Sequence, residues 1–327
     1  RQGMSRPLTP GERRLPVGRA VRVHVPATSA NLGPGFDSMG LALQLDDEVT
    51  LEVVEGVWAA SVEGEGAESL PTDGSHLILR LAREHLAARG VTVPGLTLHA
   101  VNRIPHARGL GSSAAAVVAA IAGAEALLDP EDRLDADGLL GVCSALEGHP
   151  DNVAPALRGG ATVSWSRGGD AAGEVGTAEL SLHPGVVPVV AVPDVEVSTH
   201  AVRALLPTSV PHAEAAAQAG RAALLVHALS REPRLLAEAT VDLLHQGPRS
   251  SAMPETAALI TRLRAAGHAA VVSGAGPSVL VLAPGERAAT TAAEYVRELY
   301  ADSSRGWRVQ VTGIARGGAR VEHVRHG

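Results

Sequence analysis

The sequence has 327 residues, 45% hydrophobic and 19% charged, a balance that suits one large globular domain or two modest ones and excludes a disordered chain. Aromatics make up only 2% and the net charge is -7, so base stacking, general attraction to phosphate backbones and adsorption to anionic membranes are excluded as modes of action. All 28 basic residues are Arg; without Lys there is no Walker P-loop, no protein-kinase β3 Lys and no Schiff-base chemistry.

Residues 1–19 are rich in Arg, Pro and Gly without a hydrophobic period, and are expected to form a flexible N-terminal segment. Val21, Val23 and Val25 alternate with Arg22 and His24, which predicts a half-buried strand stopped by Pro26. A strand at 48–54, a helix at 77–89 and a strand at 93–101 follow. Ser113 to Leu128 reads as a helix almost without polar residues, buried on most sides, with an Ala run that permits close packing. The next helix, 136–146, holds the only cysteine, Cys143, among Leu139, Leu140, Val142 and Leu146. A lone thiol in that setting is a small core residue; it excludes an intrachain disulfide and a thiolate zinc site, and suits a reducing cytoplasm.

Strands at 160–166 and 186–192 bracket a Gly-rich stretch, 167–176, which is the expected domain boundary. The second half predicts helices at 213–229, 233–244, 254–266 and 288–299, with strands at 268–273, 278–283 and 308–312. Such a mixture argues for an α+β protein of two layers. No apolar run approaches membrane length and the first 19 residues lack the apolar centre of a signal peptide, so a soluble cytoplasmic protein is expected, with no nucleic acid and no membrane as partner.

Chemistry concentrates in Pro105-His106-Ala107-Arg108-Gly109-Leu110-Gly111-Ser112-Ser113-Ala114-Ala115, between a strand and the Ala-rich helix. Two glycines let the backbone approach a ligand closely. The helix start offers unpaired N–H groups and the positive end of a dipole, which together bind a polyanion without Lys. Ser112 and Ser113 add hydroxyls able to hold a phosphate oxygen or ligate Mg²⁺.

This segment resembles the Pro-x-x-x-Gly-Leu-Gly-Ser-Ser-Ala motif of the galactokinase, homoserine kinase, mevalonate kinase and phosphomevalonate kinase (GHMP) superfamily. Pro26-Ala27-Thr28-Ser29-Ala30-Asn31-Leu32-Gly33-Pro34-Gly35-Phe36-Asp37 resembles the form carried by homoserine kinases, and Ser273-Gly274-Ala275-Gly276-Pro277-Ser278 resembles the superfamily's third motif. The resemblance implies a two-layer GHMP-kinase architecture. Residues 20–170 would form an N-terminal nucleotide-binding α/β domain and 171–327 a C-terminal ferredoxin-like α/β domain. ATP would lie on the 105–115 loop near Gly274 and Gly276, with Mg²⁺ on Ser113 and Glu147.

An amino-acid alcohol needs an anion for its ammonium, cations for its carboxylate and a polar group to aim its hydroxyl. By the resemblance, Asp37 receives the ammonium, Asn31 lies at the hydroxyl end, His149 and Asn152 line the acceptor site, and Thr199, Arg203 and Arg249 contact the substrate. Asp151 is the candidate base, beside Glu147 and Ser113 as catalytic residues, although homoserine kinases are thought to manage without a dedicated base. The implied reaction is ATP-dependent phosphorylation of L-homoserine in threonine biosynthesis, by a homodimer. The rivals are a kinase for a mevalonate-like or shikimate-like alcohol, a catalytically silent nucleotide-binding regulator, and a metal hydrolase using His323 and His326.

Overall fold

Val21, Val23 and Val25 are fully buried while Arg22 and His24 are half-exposed, as a strand with one face on a core requires. The strand does not stop at Pro26. Its pairing shifts register between Pro26 and Ala27, so the missing N–H falls at a bulge and the strand continues to Ala30. The computed structural model describes residues 13–167, 174–301 and 306–324.

In the first half the order is β1 (Arg13–Arg14), β2 (Ala20–Ala30), β3 (Met39–Val53), β4 (Trp58–Gly64), α1 (Leu77–Ala88), β5 (Val91–Thr92), β6 (Leu96–Asn102) and α2 (Ser112–Ala126). Then come α3 (Ala136–Glu147), α4 (Val153–Arg158), β7 (Ala161–Ser166) and β8 (Val175–Leu180). The second half runs β9 (Val186–Pro193), α5 (Thr199–Arg203), α6 (His212–Ser230), α7 (Leu236–Ala239), α8 (Gln246–Arg249), α9 (Pro254–Ala265), β10 (Ala270–Val272), β11 (Val279–Pro284), α10 (Glu286–Leu299), β12 (Trp307–Val311) and β13 (Arg320–Val324).

A seven-stranded sheet in the order β13-β2-β3-β6-β4, extended through β7 and β8 from β3, carries the helices α1 to α4. Helix α2 lies against β2, α1, α3 and α4 and is buried along nearly its whole length, as its Ala content foretells. The second sheet is antiparallel in the order β10-β11-β9-β12. With α9 before β10 and α10 before β12, it is the β-α-β-β-α-β arrangement of a ferredoxin-like unit, and the chain is α+β as expected. β9 reads as an unbroken apolar run because both its faces are buried. Val186, Val190 and Val192 join the larger core, whereas Val187, Val189 and Ala191 join a second core under α9 and α10.

Three expectations need correction. Residues 13–19 belong to the fold: Arg13 and Arg14 pair with Val91 and Thr92, Leu15 is buried, and Arg13 forms ion pairs with Asp129 and Asp132; residues 1–12 lie outside the described residues. The boundary expected between 170 and 171 lies outside the described residues, but β7 and β8, which flank it, pair antiparallel in one sheet. The first sheet therefore runs on to Leu180, and takes back β13 from the end of the chain. The helix expected over 233–244 is a 3-10 turn, Pro233–Leu235, and the short α7; beyond it Asp242 turns inward to accept the N–H groups of Leu244, His245 and Gln246 (3.2, 2.9 and 2.8 Å).

Cys143 is fully buried, and burial pushes its thiol up to about 12, which makes it the inert core residue expected. The metal-hydrolase reading fails on its own residues. His323 faces the Arg133 guanidinium at 3.3 Å, a cationic neighbour unsuited to a metal ligand, and His326 lies outside the described residues. Among the described residues no helix is long and apolar enough to cross a membrane.

Candidate active site

Gly111, at φ 72°, turns the chain from β6 into α2 in a left-handed conformation that glycine adopts without penalty. The first bond back to the loop is Ala115 N–H to Gly111 O (2.9 Å), which leaves the amides of Ser112, Ser113 and Ala114 at the open end of the helix. No side chain caps them and no acidic residue occupies the first turn, so this end keeps its positive character.

The three motifs, far apart in sequence, are tied together here. Ser273 Oγ donates to Gly109 O (2.6 Å) and is itself 2.8 Å from Ser29 Oγ. Gly274 N–H donates to Ala30 O (3.1 Å), and Asn31 Nδ2 donates to Gly274 O (2.9 Å). A Cβ on Gly109 would run into the backbone carbonyl of Ser273, so this approach admits no side chain. Asn31, Leu32, Asp37 and Ala107 have φ of 71°, 50°, 55° and 52°. These non-glycine residues sit in the sparsely populated left-handed region at or beside one cleft, where stored backbone strain marks a site.

That cleft has a volume of about 650 Å³. It brings together Asn31, Asp37, Ala107, Gly109, Gly111, Ser112, Ser113, Glu147, His149, Asp151, Asn152, Thr199, Arg203, Arg249 and Gly274. Seven other residues expected at the nucleotide site do not line it. Pro105, His106 and Leu110 border neighbouring cavities, and Ala114 and Ala115 are buried in α2. Arg108 spends its guanidinium on Pro193 O (2.9 Å), His106 O (2.7 Å) and Glu196 (3.2 Å). Gly276 supports the loop from behind, its N–H donating to Ser273 O (2.8 Å).

Charge in the cleft is arranged in two groups. Toward α2, Ser113 Oγ donates to Glu147 Oε2 (2.9 Å). Burial pushes the Glu147 carboxyl above its ordinary range, an effect the Ser113 hydroxyl and His149 only partly offset, and no basic side chain pairs with it among the described residues. Such a carboxylate, with a hydroxyl at its side, is a hard-oxygen set suited to a divalent cation. His149 Nδ1 lies 2.9 Å from Asp151 Oδ1, which also accepts Asn152 N–H (3.0 Å). The hydrogen bond to Asp151 raises the His149 imidazole and favours its charged form.

On the other side, Arg203 forks onto Asp37, Nη1 to Oδ2 at 3.0 Å and Nη2 to Oδ1 at 2.6 Å. Arg249 is fully buried behind the pair, its guanidinium carbon 5.3 Å from the Phe36 ring centre, and burial pushes its pKa down. Its Nη1 faces His245 Nδ1 at 3.1 Å, and its Nε has no partner among the described residues. Since Arg only donates, His245 accepts at Nδ1 and carries its proton on Nε2, which donates to Gly33 O (2.8 Å). The sequence reading missed His245 and Phe36 as supports of Arg249. The four-residue spacing of His245 and Arg249 was the available signal.

The description "GHMP kinases N terminal domain" matches residues 76–160 and "GHMP kinases C terminal" matches 213–302. The homoserine kinase of Clavibacter michiganensis subsp. michiganensis is 48% identical over 316 residues, covering 96% of this chain and 97% of that protein. That of Streptomyces coelicolor is 52% identical over 270 residues, 82% of this chain and 86% of the other. The crystal structure of homoserine kinase from Cytophaga hutchinsonii superposes with a TM-score of 0.80 at 27% identity, covering 93% of this chain and 97% of that one. With the paired sheets, the three interlocked motifs and these identities in agreement, the chain belongs to the homoserine kinase family of the ATP-using GHMP kinases.

Proposed function

We propose that the protein transfers the γ-phosphoryl group of ATP to the side-chain hydroxyl of L-homoserine, releasing ADP and O-phospho-L-homoserine. The observation that carries this reading is the sharing of one cleft by an uncapped helix start and by a charge set matched to an amino-acid zwitterion, Asp37 with Arg203 and Arg249. Sugars carry no carboxylate for the two Arg. Mevalonate carries no ammonium for Asp37. A cytoplasmic homodimer completes the reading, on family resemblance alone.

Phosphoryl transfer is chiefly positioning and charge neutralisation. The amides of Ser112, Ser113 and Ala114 receive the phosphates at the start of α2. Ser113 and Glu147 would hold Mg²⁺, which when bound neutralises charge on the β- and γ-phosphates. Arg203 and Arg249 take the α-carboxylate, Asp37 the ammonium, and Thr199 and Asn31 border the same space, so the hydroxyl is held toward the phosphates.

Asp151 serves in this scheme as an anchor for His149 and not as a base. Its Oδ1 already accepts from His149 and from Asn152 N–H, so that oxygen is engaged in holding the loop and is not free to take a proton from a substrate hydroxyl. Asp151→Asn is expected to lower turnover by less than about tenfold in steady-state assays. A loss of about a thousandfold would restore Asp151 as the base.

The whole reading is tested by ADP release across L-homoserine, mevalonate and shikimate, with phosphorus NMR of the product. Turnover confined to L-homoserine is expected. Turnover on another alcohol overturns the acceptor, and tight binding of ATP and homoserine without turnover supports the silent regulator.

A further inference from the structure

Thr28 lies on β2 behind the cleft, fully buried. Its N–H donates to Leu110 O (3.0 Å), joining the strand to the phosphate loop one residue before Gly111. Its Oγ1 lies 2.8 Å from Asn152 Oδ1 and has no other partner among the described residues. The direction of that bond follows from burial. Were the hydroxyl to accept from the Asn152 amide, its own hydrogen would be left buried and unbonded, the costlier arrangement. Donation to Oδ1 assigns the two ends of the carboxamide, so the Nδ2 end of Asn152 remains as the donor.

Asn152 lines the cleft beside Glu147 and His149, and no acceptor among the described residues takes its Nδ2. The room for this contact is made by a glycine: a Cβ on Gly111 would collide with Thr28 Oγ1 and lie 3.1 Å from Asn152 Oδ1. Asn152 thus stands against the phosphate loop. Its main chain is fixed by the bond to Asp151 and its side chain by Thr28.

We propose that Thr28 is a positioning residue, which orients the Asn152 carboxamide so that its NH₂ donates to a γ-phosphoryl oxygen during transfer. This rests on the kinase reading above. A preorganised donor aimed where charge develops acts on the transition state more than on ground-state binding, so its loss appears in kcat.

Thr28→Val keeps the shape and removes the hydroxyl. It is expected to lower kcat about tenfold, with both KM values within about twofold of the parent, and Thr28→Ser is expected to restore most of kcat. Asn152→Asp keeps an acceptor for Thr28 and removes the NH₂; it should lose kcat at least as far, and it supplies the test should Thr28→Val fail to fold. In the Asn152→Ala background, Thr28→Val should have no further effect on kcat. Independent, multiplying losses at the two positions, a rise in both KM values with kcat unchanged, or a wild-type kcat in Asn152→Asp would each overturn the proposal. The parent protein assayed beside the variants keeps failure of the kinase reading distinct: without homoserine-dependent ADP release from it, the reading itself falls.

Discussion

Replacing Glu147 with glutamine is expected to lower kcat by about a thousandfold, with the homoserine KM changed by no more than about threefold. Gln has the same size and can still accept from the Ser113 hydroxyl, which lies 2.9 Å from Glu147 Oε2, so the geometry survives and only the charge is removed. In the proposed scheme that charge would help hold a divalent cation, and several kcal/mol of transition-state stabilisation would go with it. Stability should move the other way. Burial already disfavours the ionised form of Glu147, so the neutral amide should melt at the same temperature or higher. Turnover and thermal melting measured on the same samples decide the matter. A loss below tenfold, or a loss that tracks a fall in melting temperature, would remove Glu147 from the reaction.

What the sequence revealed of this site was what local chemistry encodes. Gly109, Gly111 and the two serines require a turn that feeds a helix, and the Ala run requires a helix packed closely on every side. Elements that depend on distant partners were less legible. β4 is found only because it pairs in parallel with β6, and β13 only because it returns to β2 across nearly the whole chain. Pro26 looked like a stop because the bulge that accommodates it is a property of the pair β2 and β3. The stretch 167–176 looked like a domain boundary because its composition is that of a linker, whereas the antiparallel pairing of β7 with β8 on either side of it is a property of the two strands together. Thr28 lies inside the first motif, but nothing local marks its role: a Thr in a strand satisfies β propensity, and its partner is 124 residues away.

Arg203→Ala is expected to raise the homoserine KM about a hundredfold and leave the ATP KM within about twofold. The size follows from what is removed, since truncating one side of a desolvated charge pair costs about 2–5 kcal/mol, and each 1.4 kcal/mol is about tenfold. The side chains of Arg203 and Asp37 are 41% and 36% exposed, so without ligand their pair is a weak, solvent-screened contact that contributes little to folding. Melting temperature should therefore barely change, which separates a binding role from a structural one. In the proposed scheme a bound amino acid would reverse the arrangement: its carboxylate would meet Arg203 and Arg249, its ammonium would meet Asp37, and the net charge of the cleft would be preserved. Arg203→Lys should recover only part of the loss, because a single ammonium cannot make the two bonds at 3.0 and 2.6 Å that the guanidinium makes to a carboxylate. 4-Hydroxybutanoate, which keeps the hydroxyl and carboxylate but lacks the ammonium, should be a poor acceptor for the parent protein because it leaves Asp37 unanswered. Parallel rises in the KM values for ATP and homoserine, or full activity on 4-hydroxybutanoate, would show that the Asp37 and Arg203 pair does not read the acceptor.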